Sequence, residues 1–343
     1  MASLRLNLFQ SEKDFFTFNE YYLYFVGLWP KREQSNFLKI FYRTYETSLH
    51  VLAVMYIIVT GIGTFQHKND TLILMSNLDK TLVAYHFGLK IFFFVIKKEQ
   101  LRDLINDIKH SGDTVSGDRR KFMAIHIIFI TALSTMIVSI FCFIALYNGE
   151  MIVEAWMPFD PFKSKINLFL AGQILAITFA LPHMYRDLAV QGIVCTLIMY
   201  FCDQLDDLQE RVKNLVYSAD NDCVMRKEFT EIIKKHVRIM RYSNDFKDIF
   251  KEFFLIQNLA VTIELCLNAL MVTVSEGIAL SAYESSWTNW PLDLQKQLLI
   301  VVRAAQKPLK LSAGGMSTMS LQTYSQTLYN GYTIFAVLND VMA

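Results

Sequence analysis

Two stretches of this chain, Thr47 to Gln66 and Phe122 to Tyr147, contain no Asp, Glu, Lys or Arg. A helix crosses the ~30 Å hydrocarbon core of a bilayer with about 20 mostly apolar residues, so each stretch is long enough to span. Three further runs approach that standard. Leu72 to Ile96 is interrupted by Asp79, Lys80 and Lys90. Ile166 to Cys202 is too long for one straight crossing; Pro182 is expected to bend it, and Arg186 and Asp187 sit near its middle. Phe253 to Val274 carries Glu264 as its only charge. With 53% hydrophobic and 19% charged residues, the chain is more apolar and less charged than ordinary soluble domains. The expected fold is all-α, a polytopic membrane helical bundle.

The remaining segments read differently. Asp203 to Lys251 mixes acids and bases, and Leu205, Leu208, Val212 and Leu215 fall at helical spacing. This stretch reads as helical extensions of the fourth and fifth runs, with a turn at Ser218 to Asp222. Pro291 to Gln306 reads as a short amphipathic helix with Pro in its favoured first turn. Lys307-Pro308 stops it, and Gly314-Gly315 marks a turn. Ser320 to Leu338 reads as a last helix too polar to face lipid, suited to facing other helices or water.

Loop charge sets the orientation. Lys and Arg crowd the N-terminal arm (Arg5, Lys13, Lys31, Arg32, Lys39, Arg43), the loop after the second run and the loop after the fourth. The opposite side shows only Lys68, Lys163 and Lys165. Basic loops stay in the cytoplasm, so the N-terminus is expected there. That is the reverse of a G-protein-coupled receptor. The expected division is a cytoplasmic N-terminal arm at 1–46, a membrane bundle at 47–274 with cytoplasmic helical extensions at 203–251, a segment at 275–318, and a final helix at 319–343. The first residues lack the sustained apolar core of a signal peptide.

The chemistry excluded is broad. Seven histidines are scattered, and HExxH, GxxxxGK[ST] and GxSxG are missing. The five cysteines have no metal or CxxC spacing and read as small hydrophobes. Neither an enzyme nor a cofactor is expected, and a net charge of +1 gives no global field toward nucleic acid. A transporter would show paired broken helices in related halves, and no such repeat is found.

Several short motifs, in order, carry a resemblance. Gly27-Leu28-Trp29-Pro30 follows an aromatic amphipathic run. Tyr283-Glu284-Ser285-Ser286-Trp287 fits Tyr-x-x-x-Trp. Arg303 to Leu309, Leu311 to Gly315, and the run Ser320 to Leu338 ending Tyr332-Thr333-Ile334-Phe335-Ala336-Val337-Leu338 complete the set. Together they resemble the insect odorant receptors. The related gustatory receptors end in Thr-Tyr followed by Gln-Phe; Thr323-Tyr324 is present here without the Gln-Phe.

The resemblance implies a subunit of a heteromeric, odorant-gated non-selective cation channel in the plasma membrane of olfactory sensory neurons. It implies seven spans, a tetramer with the odorant receptor coreceptor, a small volatile hydrophobic ligand, and lipid around the bundle. The 275–318 segment then corresponds to an intracellular anchor, with Tyr283, Trp287 and Arg303 in subunit contacts. The final helix lines the pore: Val337 and Val341, four apart and on one face, align with its narrowest positions and would gate by dewetting. Gln326 and Asn330 are pore candidates on the same helix. Tyr85 and His86 in the second span, Phe141 in the third and Phe179 in the fourth are candidate pocket walls, as apolar ligands need aromatic surroundings. Val138 lies on a similar face to Phe141; the aromatic residue makes the better wall. Packing between helices accounts equally simply for the pocket residues and for about half of the polar pore residues, whereas for Val337 and Val341 the gate is the preferred reading. Arg186 and Asp187 are read as marking a wet inner vestibule.

One departure stands out. In the family a whole apolar span separates the fifth run from Tyr-x-x-x-Trp, whereas Val274 here runs directly into Ser275-Glu276-Gly277. The sixth span is missing, as a shortened isoform, a deleted exon or a gene-model error would leave it. Counting crossings puts Lys296 to Lys310 outside the cell, and its basic residues oppose that. A fifth run that fails to cross would leave the segment inside.

The orientation is testable. A glycosylation acceptor fused to the N-terminus should remain unmodified when the protein is made in microsomes. Efficient glycosylation would reverse the topology.

Overall fold

A computed structural model describes residues 15–31, 35–69, 71–215, 222–284, 287–289, 291–305, 312–313, 317–318 and 329. The helices expected before residue 306 are present, while the expected last helix, Ser320 to Leu338, lies outside the described residues except for 329. α1 is Thr17–Phe25, α2 Asn36–Gln66, α3 Thr71–His110 and α4 Gly117–Asn148. A short 3-10 turn at Pro161–Lys163 leads into α5, Lys165–Gln173. A π-helical segment, Ile174–Ala180, joins α5 to α6, Leu181–Lys213. α7 is a single helix from Asp222–Glu284, and α8 is Leu292–Ala305. A two-residue pairing follows, with Ser312 opposite Thr318 and Ala313 opposite Ser317 in an antiparallel register. Asn36–Gln66, Arg119–Asn148 and Lys165–Lys213 are long and apolar enough to cross a membrane.

Pro182 lies just past the π-helical segment. Proline has no N–H to give the carbonyl four residues back, here that of Thr178, and its ring crowds that carbonyl. A wider turn relieves both problems inside an otherwise continuous helix. The expected bend therefore takes the form of a π segment. The helical extensions are also present, since α6 runs to Lys213 and α7 starts at Asp222. Of the four apolar positions noted there, Leu208 is buried against Ile232 and Ile239, and Leu215 packs at the edge. Leu205 and Val212 are exposed instead. The proposed turn at 218–222 lies almost wholly outside the described residues.

The described residues form two compact units. The first comprises Met1–Val59, Ala84–Ile152 and Met157–Gln257. Its core joins α1 to α3, α6 and α7 through Phe16, Leu23, Leu28, Leu101, Ile105, Ile193, Leu197, Tyr200 and Phe250. Gly192 of α6 permits close approach of both α4 and α1, since a Cβ there would sit 3.0 Å from Ile127 Cδ1 and 3.4 Å from Asn19 Oδ1. One turn on, buried Asn19 donates to Thr196 Oγ1 at 2.9 Å. The second unit comprises Thr60–Val83, Val153–Trp156 and Asn258–Ala343. There the Asn77 amide donates to Thr64 Oγ1 at 2.8 Å and accepts from the Glu154 N–H at 2.8 Å. Gly63 admits that strand of backbone: a Cβ would lie 2.2 Å from the Glu154 carbonyl oxygen.

The Gly27-Leu28-Trp29-Pro30 motif has a physical explanation. Gly27 adopts φ +77°, the left-handed conformation that ends a helix, and Leu28 N–H returns to the Leu23 carbonyl at 2.9 Å. Trp29 N–H donates to the Tyr42 hydroxyl at 3.0 Å, and that hydroxyl donates to the Tyr24 carbonyl at 3.2 Å. Arg102 closes the turn from α3, donating to the Pro30 carbonyl at 2.9 Å with its guanidinium over the Trp29 ring. The motif therefore fastens the N-terminal arm to α2 and α3.

Tyr42→Phe removes both hydroxyl bonds and leaves a buried N–H unpaired. The expected loss is about 1–3 kcal/mol, read as a lower midpoint of thermal unfolding in detergent. An unchanged midpoint would mean water replaces the hydroxyl.

Candidate functional site

Lys90, which broke the second apolar run, is 1% exposed at the centre of three helices. Its Nζ lies 2.8 Å from Asp187 Oδ1 on α6 and donates to Gln257 Oε1 on α7 at 2.8 Å. The Phe253 ring stands 4.7 Å from the ammonium and Phe87 5.5 Å, close enough for the ring faces to stabilise the cation. A charge left unpaired in such surroundings is costly. The pair therefore fixes how α3, α6 and α7 are rotated about their axes.

Arg186 points elsewhere, as adjacent residues on a helix must. Its Nη2 reaches His50 Nε2 on α2 at 3.3 Å. Arg186 is 1% exposed and Asp187 3%. This corrects the expectation of an open vestibule: the two residues are buried in a helix junction that also involves α2. The sequence reading missed Lys90 as the partner of Asp187. The signal was available, because Lys90 and Asp187 are opposite charges in two membrane runs, and intramembrane charges usually face protein.

Of the candidate ligand residues, His86 lies one helical turn from this junction, Tyr85 next to His86 in sequence, and Phe141 on a different helix, α4. His86 is four residues before Lys90, so both share a face of α3; its ring meets Phe87 at a centroid distance of 4.4 Å. Tyr85 and His86 are both half-buried. Phe141 on α4 is 44% exposed. A small cleft of about 30 Å³ adjoins it, lined by Cys142, Leu146, Glu150, Leu168, Phe169 and neighbours, but none of Tyr85, His86 and Phe141 lines it. The Phe179 side chain is outside the described residues, as are Val337, Val341, Gln326 and Asn330. Tyr283 and Arg303 are exposed and Trp287 is half-buried in a 3-10 turn. Gln295 on α8 donates to the Thr288 carbonyl at 3.3 Å, tying that turn to the helix.

A second polar cluster joins the α3–α4 loop to the extensions of α6 and α7. Asp113 accepts from Tyr200 Oη at 2.7 Å and from Arg238 Nη2 at 2.5 Å. Gln204 donates to the Thr114 carbonyl at 2.8 Å, Lys235 pairs with Asp207 at 2.8 Å, and Arg211 with Glu228 at 2.6 Å. Acids and bases here largely satisfy one another around an open cavity of about 730 Å³. Among the described residues no group of His, Cys, Asp and Glu could hold a metal, and Cys142, Cys195, Cys202 and Cys223 are free thiols.

Comparison with known proteins places this architecture. The chain resembles Odorant receptor 49a of Drosophila melanogaster, 33% identical over 73 residues, which are 21% of this chain and 18% of the relative. It resembles Odorant receptor 30a of the same fly at 38% over 64 residues, 19% of this chain and 17% of that one. These local matches thus span under a fifth of each relative's length. Odorant receptor 13a of that fly aligns throughout, 20% identical over 402 positions, covering 92% of this chain and 93% of the relative. Among solved structures, the insect olfactory receptor OR5 from Machilis hrabei in complex with eugenol is similar at 15% identity and TM-score 0.49, covering 94% of this chain and 97% of that one. The family model described as 7tm Odorant receptor matches residues 72–277 and 269–332. That match takes in most of the chain, and the chain therefore belongs to the insect odorant receptor family.

Proposed function

We propose that this chain is the odorant-binding subunit of a heteromeric, ligand-gated non-selective cation channel, assembled with the odorant receptor coreceptor in the plasma membrane of olfactory sensory neurons. The observation that carries this reading is the family match over residues 269–332, which retains the anchor-like segment and most of the final helix. Exposed Tyr283 and Arg303 leave that segment's surface available to neighbouring subunits. The ligand is a small volatile hydrophobic molecule held by Tyr85, His86, Phe141 and Phe179. A ligand seated at His86 is one helical turn from Lys90, so a shift of α3 would load the buried ion pair directly. Val337 and Val341 form the gate, with Gln326 and Asn330 along the pore.

A second reading has its own support. The two stretches of the family match meet at 269–277, across Val274–Ser275. The alignment with Odorant receptor 13a runs to 402 positions against a chain of 343 residues, so that relative carries segments this chain lacks. Both fit a shortened form without the sixth span, whose pocket has lost a wall and which does not conduct.

Odorant-evoked current decides between them. The chain is expressed beside the coreceptor, alone and with an apolar span of about 20 residues from a close relative inserted between Val274 and Ser275. The second reading expects little or no current from the 343-residue chain and robust current from the restored one, whereas the first expects current from both. Normal responses from the short chain would refute the need for a sixth span. Silence from both, with both complexes at the surface, would refute the channel-subunit assignment.

A further inference from the structure

α2 contains 31 residues, about 46 Å of helix at 1.5 Å per residue, against a ~30 Å hydrocarbon core. The surplus is 36–46, before the uncharged run. It is not built like a solvated helix, because Phe37, Leu38, Ile40, Phe41 and Tyr45 are exposed. Large apolar side chains beside Lys39 and Arg43 suit the headgroup layer, where aromatic rings and basic residues both reside.

Two cavities meet on this part of the helix. One, about 290 Å³, is bounded by Lys31, Lys39, Arg43 and Arg102, with Tyr42 and Glu46. The other is an open groove of about 560 Å³ running along α2 past Ile40, Thr44, Thr47, Val51 and Leu52. Arg43 lines both. The polar groups are not equally available. Arg102 is engaged by Glu99 and the Pro30 carbonyl, Glu46 by Lys98 at 2.9 Å, and Lys31 stands over the Tyr21 and Tyr24 rings. Among the described residues, Lys39 and Arg43 have no acid within ion-pair distance. The groove is less polar than its composition, because Thr44 Oγ1 donates to the Ile40 carbonyl at 3.0 Å and Ser48 Oγ to the Tyr45 carbonyl at 2.8 Å.

We infer that the two cavities form one binding site for an anionic phospholipid of the cytoplasmic leaflet. The phosphate sits between Arg43 and Lys39, and an acyl chain follows the groove toward Val51 and Leu52. Charge complementarity supplies the headgroup end. The apolar groove continuing from it explains why the occupant is a lipid and not a soluble anion. The assignment to the cytoplasmic leaflet rests on the proposed orientation; the binding site itself does not.

The test uses the full chain in nanodiscs of neutral phosphatidylcholine, titrated with fluorescent phosphatidylserine. Each basic residue near a membrane surface contributes about fivefold to the affinity for anionic lipid. Arg43→Gln should therefore weaken binding about fivefold and Lys39→Gln with Arg43→Gln about 25-fold. Val51→Gln should also weaken binding, and soluble glycerophosphoserine should not compete. Wild-type binding by the double variant would overturn the site. Equal competition by the soluble headgroup would replace the lipid with a soluble anion. Efficient disulfide cross-linking of Arg43→Cys between chains, undiminished by phosphatidylserine, would assign the groove to a second copy. Because no current is measured, failure of channel function leaves this result standing.

Discussion

The bundle depends most heavily on one contact, the buried pairing of Lys90 with Asp187. Lipid offers membrane helices little hydrophobic reason to associate, since acyl chains are as apolar as leucine. Specific polar contacts therefore carry unusual weight in choosing which faces meet. Asp187 without Lys90 would be an ionised carboxylate in an apolar setting, and Lys90 without Asp187 an unpaired ammonium. Either outcome costs several kcal/mol, so rotations that separate them are disfavoured. Gln257 brings α7 into the same contact, and Arg186 reaching His50 brings in α2. Four helices are thus indexed by two adjacent residues of α6.

The local backbone makes that arrangement available. The π-helical segment ends directly before Leu181 and Pro182, less than two turns ahead of Arg186. A wide turn changes the angular register of everything after it, so the directions of Arg186 and Asp187 follow from where the proline falls. Below this level the packing becomes conventional. Phe246, Phe250 and Phe253 of α7 continue the aromatic core with Tyr200 and Phe201, and the N-terminal arm covers it with Phe15 and Phe16. The Gly27 turn and Tyr42 then fix where that arm meets α2.

Much of this was legible in the sequence, for reasons that can be named. Long apolar runs announce membrane helices because the bilayer tolerates little else, and α2, α4 and the α5–α6 segment each contain one, with α2 and α6 extending beyond it. Proline marked the irregularity in the fourth run, though not that it would be a π segment. The Gly-Leu-Trp-Pro motif was recognisable as a family feature, while its mechanism needed Tyr42 and Arg102, which are distant in sequence. Lys90 and Asp187 were each visible as awkward charges, but pairing is a tertiary property and their separation in the chain hides it. The Arg186–Asp187 adjacency drew attention to the wrong relation, since the two side chains serve different neighbours. Tyr85 and His86 were chosen for aromatic character and position; that His86 lies one turn from a buried ion pair is visible only once Lys90 is found paired with Asp187.

Reversing the charge pair tests the central claim most directly. Lys90→Asp alone and Asp187→Lys alone each bury two like charges together, whereas the double exchange restores an ion pair with opposite polarity. Folded, detergent-stable protein at the cell surface should be lost in both single variants and recovered to about half the wild-type level or more in the exchange. Single variants that fold normally, or an exchange no better than either of them, would contradict the claim that this one pairing orders the bundle.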